Sequence, residues 1–519
     1  MLALDGAWRC MGLASVFSLF ALKRLGPGHD ARSACALTGA CWHRRFQIRL
    51  FLMMSMLVVA DGMEMTVLSM LREPLKREFG LDDYGFAALG SVIFAGLLVG
   101  NISGGFVGDA FGRRNGLIGM GLVFIVAGTF SAFAPDIYTF AIMRFLTGVG
   151  VGAMIPVADS HLLEWSPSAW RAKLAMSLVG AAFAVGTLIA CGVGIIMHDA
   201  MGDDSSWWRF MLLICIIPGF MSLPLMFFLL PESMHWLLVR GKKEEVRELL
   251  KELNELNGTE MLADGDVRMT RSADPEDQVG PEDGLLNWRF LEIFGPELLG
   301  TTVYLVMTFT ACGFIYYGHI FIYPRLLEML YNAEMKEAYS AVIFNSCLEI
   351  VVILAMMFYM DLQYIGRRGS MITGFALVTI AALCAMVEEQ DEFAFKVLNG
   401  VLRAMVVGPF TVIYIYAGEL LPSTLRSSAI SFCNSFGRIA AMAAPIVETA
   451  AIHLDLNIVY YIFSCVALCA TIASILHYRE TLGRPLLLYT SQVRQQREED
   501  EKTPLMTRYA PFMEKWRTE

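Results

Sequence analysis

Two carboxylates, Asp61 and Glu64, stand three residues apart inside the apolar run FLMMSMLVVADGMEMTVLSML, a spacing that puts both on one face of a helix. A charge at the centre of a membrane helix costs on the order of 3 kcal/mol on insertion scales, and two acids this close do not readily both ionise in low dielectric. The chemistry of such a pair is proton binding. One acid is expected to hold a proton near neutral pH, coupling proton entry to a solute or binding a cation directly; the competing reading is a static polar network. Arg144 lies about eight residues into a later apolar run and Arg403 is placed similarly in another. An arginine at that depth requires an acid or an anionic ligand. Asn345 and Glu349 are four residues apart, as are Asn434 and Arg438, so each pair shares a helical face. Glu349 and Arg438 are therefore candidates for a second charge pair, either one that breaks and remakes or one that only clamps helices. Tyr316 and Tyr317, in FIYYGHIFIYP, offer aromatic faces and hydroxyls suited to a flat organic solute, with plain packing as the alternative. His319 titrates in the physiological range but is read as an interfacial residue towards the outer end.

The elements that hold these residues are membrane helices. Hydrophobic residues make up 56% of the 519, charged residues 17%, and the mean hydropathy is +0.54. Apolar stretches of about 20 residues, the length that spans a bilayer core, number about twelve. The fold class is thus an all-α membrane protein with twelve transmembrane helices in two six-helix halves. The expected division is an N-terminal tail at 1–46, a first half at 47–232, a central loop at 233–295, a second half at 296–478 and a C-terminal tail at 479–519. In the central loop, Val246, Leu249, Leu250, Leu253 and Leu256 fall on one face and predict an amphipathic surface helix, with the remainder disordered. Arg113, Arg114, Arg171, Lys173, Lys242, Lys243, Arg367, Arg368 and Arg426 all fall in loops of one side, which predicts that both termini and the central loop are cytoplasmic. A net charge of -10, carried largely by loops and the tail, argues against nucleic acid as a partner. The eleven cysteines are scattered through the spans without metal-ligand spacing. Residues 1–45 are rich in Arg and Lys and read as a cytoplasmic tail or a targeting segment. Asn257-Gly-Thr259 matches a glycosylation pattern on the wrong side of the membrane.

The chain repeats itself. EWSPSAWR (Glu164, Pro167, Arg171) returns as ELLPSTLR (Glu419, Pro422, Arg426) 255 residues later, and Gly112-Arg113-Arg114 returns as Gly366-Arg367-Arg368 at an offset of 254. Glu232-Ser233 after span six answers to Glu480-Thr481 after span twelve. Two halves of like topology point to a transporter with its site near the midplane between them. GDAFGRR, RFLTGVGVGAMIP, EWSPSAWR, PESMHWLLVRGK and ETLGRPL together resemble the motif set of the major facilitator superfamily, as used in its sugar-porter and organic-ion branches. ADGMEMTVLSML is similar to the first span of the synaptic vesicle 2-related proteins and the niacin-type transporters near them. The resemblance covers about residues 47 to 485. It implies that spans one and four flank one cavity, making Asp61 or Glu64 the partner of Arg144. It also implies that Asp109 with Arg113, Glu164 with Arg171, and Glu419 with Arg426 form charge clusters of a cytoplasmic gate, to which Arg367 is assigned as well. The second-half loop departs from the pattern, with Gln363 where the family has an acid and Asp361 two residues further back.

The reading is a secondary active transporter, proton-coupled through Asp61, Glu64 and Arg144, that moves a small organic ion by alternating access. Tyr316, Tyr317, Asn345, Glu349, Asn434 and Arg438 line its second-half side. A nicotinate-like aromatic acid or an organic cation is expected ahead of a sugar or phosphate, and the alternative from another class is a non-transporting membrane receptor or vesicle protein. No phosphate loop, nucleophile elbow or metal motif is present, so no enzyme activity, cofactor or metal is expected. The expected partners are the solute, H+ and the lipid bilayer, with the protein a monomer. Its membrane is the plasma membrane or an internal vesicle membrane, the latter suggested by a dileucine-like EKTPLM at 501–506.

Overall fold

In the computed structural model, the residues described are 44–166, 173–201, 207–240, 242, 244–249, 251, 288–331, 335–362, 364–386, 391–422 and 425–482. Arg171, Lys243, Asn257, Gln363 and the sorting-like segment 501–506 lie outside them, as do the expected N-terminal tail up to residue 43 and most of the central loop. Within that loop Val246 is buried and Leu249 half-buried while Glu244, Glu245, Arg247 and Glu248 are exposed, the amphipathic division expected there.

Among the described residues, twelve long helices carry the fold. In the first half they are α1 (Arg44–Met70), α2 (Asp83–Phe111), α3 (Arg113–Ser131), α4 (Ile137–Trp165), α5 (Phe183–Met201) and α6 (Trp207–Leu229). In the second half they are α7 (Leu299–Tyr331), α8 (Met335–Tyr359), α9 (Gly366–Cys384), α10 (Glu392–Leu420), α11 (Arg426–Leu454) and α12 (Leu456–Leu476). A short helix, Arg72–Phe79, links α1 to α2, and a π-helical turn, Ser177–Ala182, leads into α5. Among the described residues eleven helices are long and apolar enough to cross a membrane. The helix missing from the eleven is α9, only 19 residues long and opening on Arg367 and Arg368. It nevertheless packs against α10 and α12 as α3 packs against α4 and α6, so the bundle holds twelve.

Aspartates start three of these helices at one end of the bundle. Asp82 accepts from Gly85 N at 2.7 Å, Asp136 from Tyr138 N and Thr139 N at 2.9 and 3.0 Å, and Asp455 from Asn457 N at 2.9 Å. The Thr139 backbone and side chain hold the Asp136 carboxyl below the usual carboxylate range. Helix packing within the first half depends on glycine. A side chain at Gly152 would meet the backbone of Leu97, and one at Gly148 the backbone of Ile93 and Leu97, so α2 and α4 touch main chain to main chain. The halves meet chiefly where α2 lies on α11 and where α5 lies on α8.

Candidate functional site

Between the halves lies a narrow cavity with Asp61 of α1 and Arg438 of α11 in its wall. Tyr316 and Tyr317 of α7 and Phe410 and Tyr414 of α10 supply aromatic faces. Tyr316 stacks on Phe410 at 5.3 Å between centroids, and Tyr317 stands edge-on to both. The π-helical turn brings Val179 and Gly180 into the same wall, a local widening of the kind that recurs at functional sites. Arg438 Nη1 donates to the Tyr317 hydroxyl at 2.7 Å and its guanidinium lies 5.2 Å from the Tyr317 ring centroid. Its charge acts on Asp61, whose Oδ1 has no hydrogen-bond partner among the described residues.

Glu64, one turn beyond Asp61, turns away from the cavity. Arg144 Nη1 donates to Glu64 Oε2 at 2.5 Å, its Nη2 donates to Ser131 Oγ at 2.6 Å, and acid and base are both fully buried. The two carboxylates of α1 therefore do not share one position: Glu64 is neutralised by Arg144, and Asp61 looks across at Arg438. The second half differs from the expected pairing. Glu349 meets Arg403 at 2.5 Å in another fully buried pair, not Arg438, because α8 packs against α10 while Arg438 on α11 points to α7 and the cavity. Arg403 also lies 5.8 Å from the Tyr316 ring centroid, so this pair borders the cavity through one aromatic ring. Asn345 is buried one turn from Glu349 and outside the cavity wall. Asn434 joins a link between halves: its Nδ2 donates to Asn101 Oδ1 at 3.2 Å, and Asn101 Nδ2 donates to Ser431 O at 2.7 Å. His319 is not interfacial. It is buried, with Nε2 3.2 Å from Asn399 Oδ1, to which Tyr460 also donates at 2.9 Å.

At the bundle end carrying Glu164, the repeat becomes two matching clamps. Glu232 Oε1 accepts from the backbone of Arg113 at 2.7 Å and Arg114 at 3.2 Å, capping α3. Glu480 accepts from the backbone of Arg367 and Arg368, each at 3.0 Å, capping α9. Carboxylates at helix N-termini are stabilised by the exposed N–H groups and the helix dipole. Gly112 and Gly366, at φ 97° and 62°, make room for these carboxylates, which a side chain there would strike. Each clamp holds a second acid. Glu164 meets Arg113 at 3.5 Å and accepts from Ser233 Oγ at 2.5 Å; Glu419 meets Arg367 at 3.4 Å and accepts from Thr481 Oγ1 at 2.6 Å. Arg426 donates to Leu421 O at 3.3 Å. The Asp109 side chain and Arg171 lie outside the described residues. Asp361 bonds Arg367 at 2.8 Å and reaches Lys173 of the first half at 3.3 Å, so the displaced acid bridges the halves.

The opposite end is closed by charge as well. Asp83 of α2 meets Arg325 of α7 at 2.6 Å, Arg72 at 2.6 Å and Lys76 at 2.8 Å. Phe86 stacks on Phe321 at 5.3 Å and Tyr84 on His453 at 5.6 Å beneath and beside it. Sequence reasoning missed this Asp83 cluster, the Asn101 and Asn399 junctions, and two buried acids, Asp159 and Glu448. The signal that could have found the acids is their distance, in residues, from the polar ends of α4 and α11.

The architecture matches solved structures of a proton:xylose symporter of the major facilitator superfamily. The chain superimposes with a TM-score of 0.68 on the form bound to 6-bromo-6-deoxy-D-glucose, at 20% identity, covering 85% of this chain and 98% of that one. An inward-open form of a xylose transporter from E. coli gives 0.63 at 18% identity, covering 87% and 99%. By sequence, the chain is 27% identical over 479 residues to the organic cation/carnitine transporter 7 of Arabidopsis thaliana, covering 85% of this chain and 93% of the relative. It is 25% identical over 465 residues to the synaptic vesicle 2-related protein of Xenopus laevis, covering 85% and 80%. Residues 66–492 match the family described as sugar (and other) transporter, and this chain belongs to that family of membrane transporters, within the major facilitator superfamily.

Proposed function

We propose that the protein is a proton-coupled secondary transporter of a small organic ion, with Asp61 and Arg438 as the poles of its site. The observation that carries this reading is their presence in one aromatic-walled cavity at the junction of the halves. With Asp61 ionised, Arg438 is balanced. A proton on Asp61 leaves Arg438 uncompensated and able to take the carboxylate of a flat acid, which Tyr316, Tyr317, Phe410 and Tyr414 then sandwich. Nicotinate-like aromatic acids fit this exchange ahead of an organic cation, which would have to sit beside Arg438. Neutral sugars fit less well, since Asn and Gln are absent from the described cavity wall. Glu64 with Arg144 positions α1 against α4, and the clamps at Glu164 and Glu419, with the Asp361 bridge to Lys173, form the cytoplasmic gate in this reading. The excess of Lys and Arg at that end supports its cytoplasmic assignment, and the vesicle-protein relative supports an internal membrane as well as the plasma membrane.

The test is uptake of labelled nicotinate, benzoate, a quaternary amine, glucose and phosphate into proteoliposomes, with and without an inward proton gradient. Accumulation of an aromatic acid that rises with the gradient and is lost in Asp61→Asn and Arg438→Gln is the expected result. Binding without accumulation would instead identify a receptor, and gradient-independent uptake unaffected by Asp61→Asn would remove the proton from the scheme.

A further inference from the structure

Glu448 is a carboxyl without a partner. It lies on α11, 1% exposed, and neither oxygen has a hydrogen-bond partner among the described residues. Its carboxyl is seated against Gly318 of α7, where any side chain would strike it. The next residue on each helix belongs to something already described. Tyr317, before Gly318, accepts from Arg438 in the cavity, and Thr449, after Glu448, accepts from Arg325 of the Asp83 cluster at 3.4 Å.

The titratable groups on the neighbouring helices each have a partner of their own. On α7, His319 faces Asn399 and Arg325 faces Asp83. On α11, Arg438 faces Tyr317 and His453 stacks on Tyr84. On α2, Asp83 is taken by Arg325, Arg72 and Lys76; on α10 and α12, Arg403 is held by Glu349 and Tyr460 by Asn399. An ionised carboxylate left unpaired in such a place costs several kcal/mol, and the neutral acid far less.

What covers this seam is α2 of the other half. Phe86 stacks on Phe321 of α7, Gly90 is in contact with that same ring, Ser91 Oγ donates to Met442 O of α11 at 2.8 Å, and Tyr84 stacks on His453 of α11. These contacts lie on either side of Glu448 along α11 and one turn from Gly318 on α7, so moving α2 away would open the seam in which Glu448 sits.

We propose that Glu448 is a second proton site, which takes up one proton when α2 closes the Asp83 end and gives it up when that end opens. The inference rests on the alternating-access reading but needs neither Asp61 nor the identity of the solute. Closure then binds one more proton than opening, so the ratio of closed to open molecules falls as pH rises, by at most about tenfold per unit.

The experiment is dipolar EPR on the full-length protein in nanodiscs from pH 5.5 to 8.5, with spin labels on Tyr84→Cys and His453→Cys and the other reactive cysteines removed. With Glu448 present, the short-distance population is expected to dominate at low pH and to fall about tenfold per unit across part of the range. With Glu448→Gln or Glu448→Met it should dominate throughout. The proposal is overturned by a flat response in the Glu448 protein, or by an unchanged response in both neutral variants. Failure of both neutral variants to fold also counts against it, since a site protonated when closed accepts an uncharged side chain of similar size. A response lost in Asp61→Asn but kept in Glu448→Gln sinks Glu448 and leaves the Asp61 reading standing; the reverse pattern does the opposite.

Discussion

Glu64 and Arg144 illustrate what a buried charge demands of its neighbours. Both are fully buried and 2.5 Å apart, so removing one leaves the other uncompensated. Arg144→Met alone is expected to cost about 3–5 kcal/mol, as is Glu64→Gln alone, while the double variant should recover most of the loss. Thermal unfolding in detergent, followed by tryptophan fluorescence, measures this; additive single losses would mean that the pair is not coupled. Asp61, Glu64, Arg144, Glu349 and Arg403 were all visible in the sequence as ionisable groups inside apolar runs, and the resemblance narrowed the partner of Arg144 to α1. The partner of Glu349 was not visible. Helical spacing says which residues share a face, but which neighbouring helix that face meets is decided by packing, and here it is α10 and not α11. Glu448 escaped notice for a related reason: in AAPIVETAAIHL it looks like an acid near a helix end, and its burial against Gly318 of α7 is decided by packing.

At the scale of elements, glycine decides how closely helices approach. Gly152 faces the backbone of Leu97, whereas Gly119 of α3 faces open space, with nothing within 4 Å of where a side chain would begin. Gly152→Ala is expected to push α2 from α4 at a cost of about 1–3 kcal/mol and lower the yield of monodisperse protein. Gly119→Ala should leave the yield unchanged or raise stability by up to about 1 kcal/mol. Size-exclusion profiles of fluorescent fusions compare the two directly, and equal behaviour would contradict the close approach of α2 and α4. The helices themselves were legible because hydropathy and length dictate them. The π-helical turn at Ser177–Ala182 was not, since its sequence, SLVGAA, is ordinary for a helix and the turn packs against α1, α8 and α10, neighbours that only the tertiary fold supplies.

At the scale of the whole molecule, the two ends are held shut by different means. The Asp83 end closes on ion pairs that join the halves, and the Glu164 end is organised by clamps within each half and bridged by Asp361 and Lys173. Asp83→Asn should weaken the ion pair with Arg325 that crosses between the halves, a partly exposed contact of at most about 1 kcal/mol, and so raise the open population at that end by up to about fivefold. Impermeant-maleimide labelling of Ser91→Cys, a position 9% exposed in the closed form, reads that population; labelling as slow as in the Asp83 protein would show that the aromatic layer alone makes the seal. The repeat was legible as matched motifs at one offset, and it foretold the clamps, but nothing in a linear pattern says that both ends are shut at once. The clamps also set a timetable for assembly. α3 receives its capping carboxylate from Glu232 as soon as the first six helices have been made, whereas α9 waits for Glu480, which is synthesised after α12. The first half can settle while the ribosome is still translating, but the second must hold the arginine-bearing first turn of α9 uncapped until its last helix arrives.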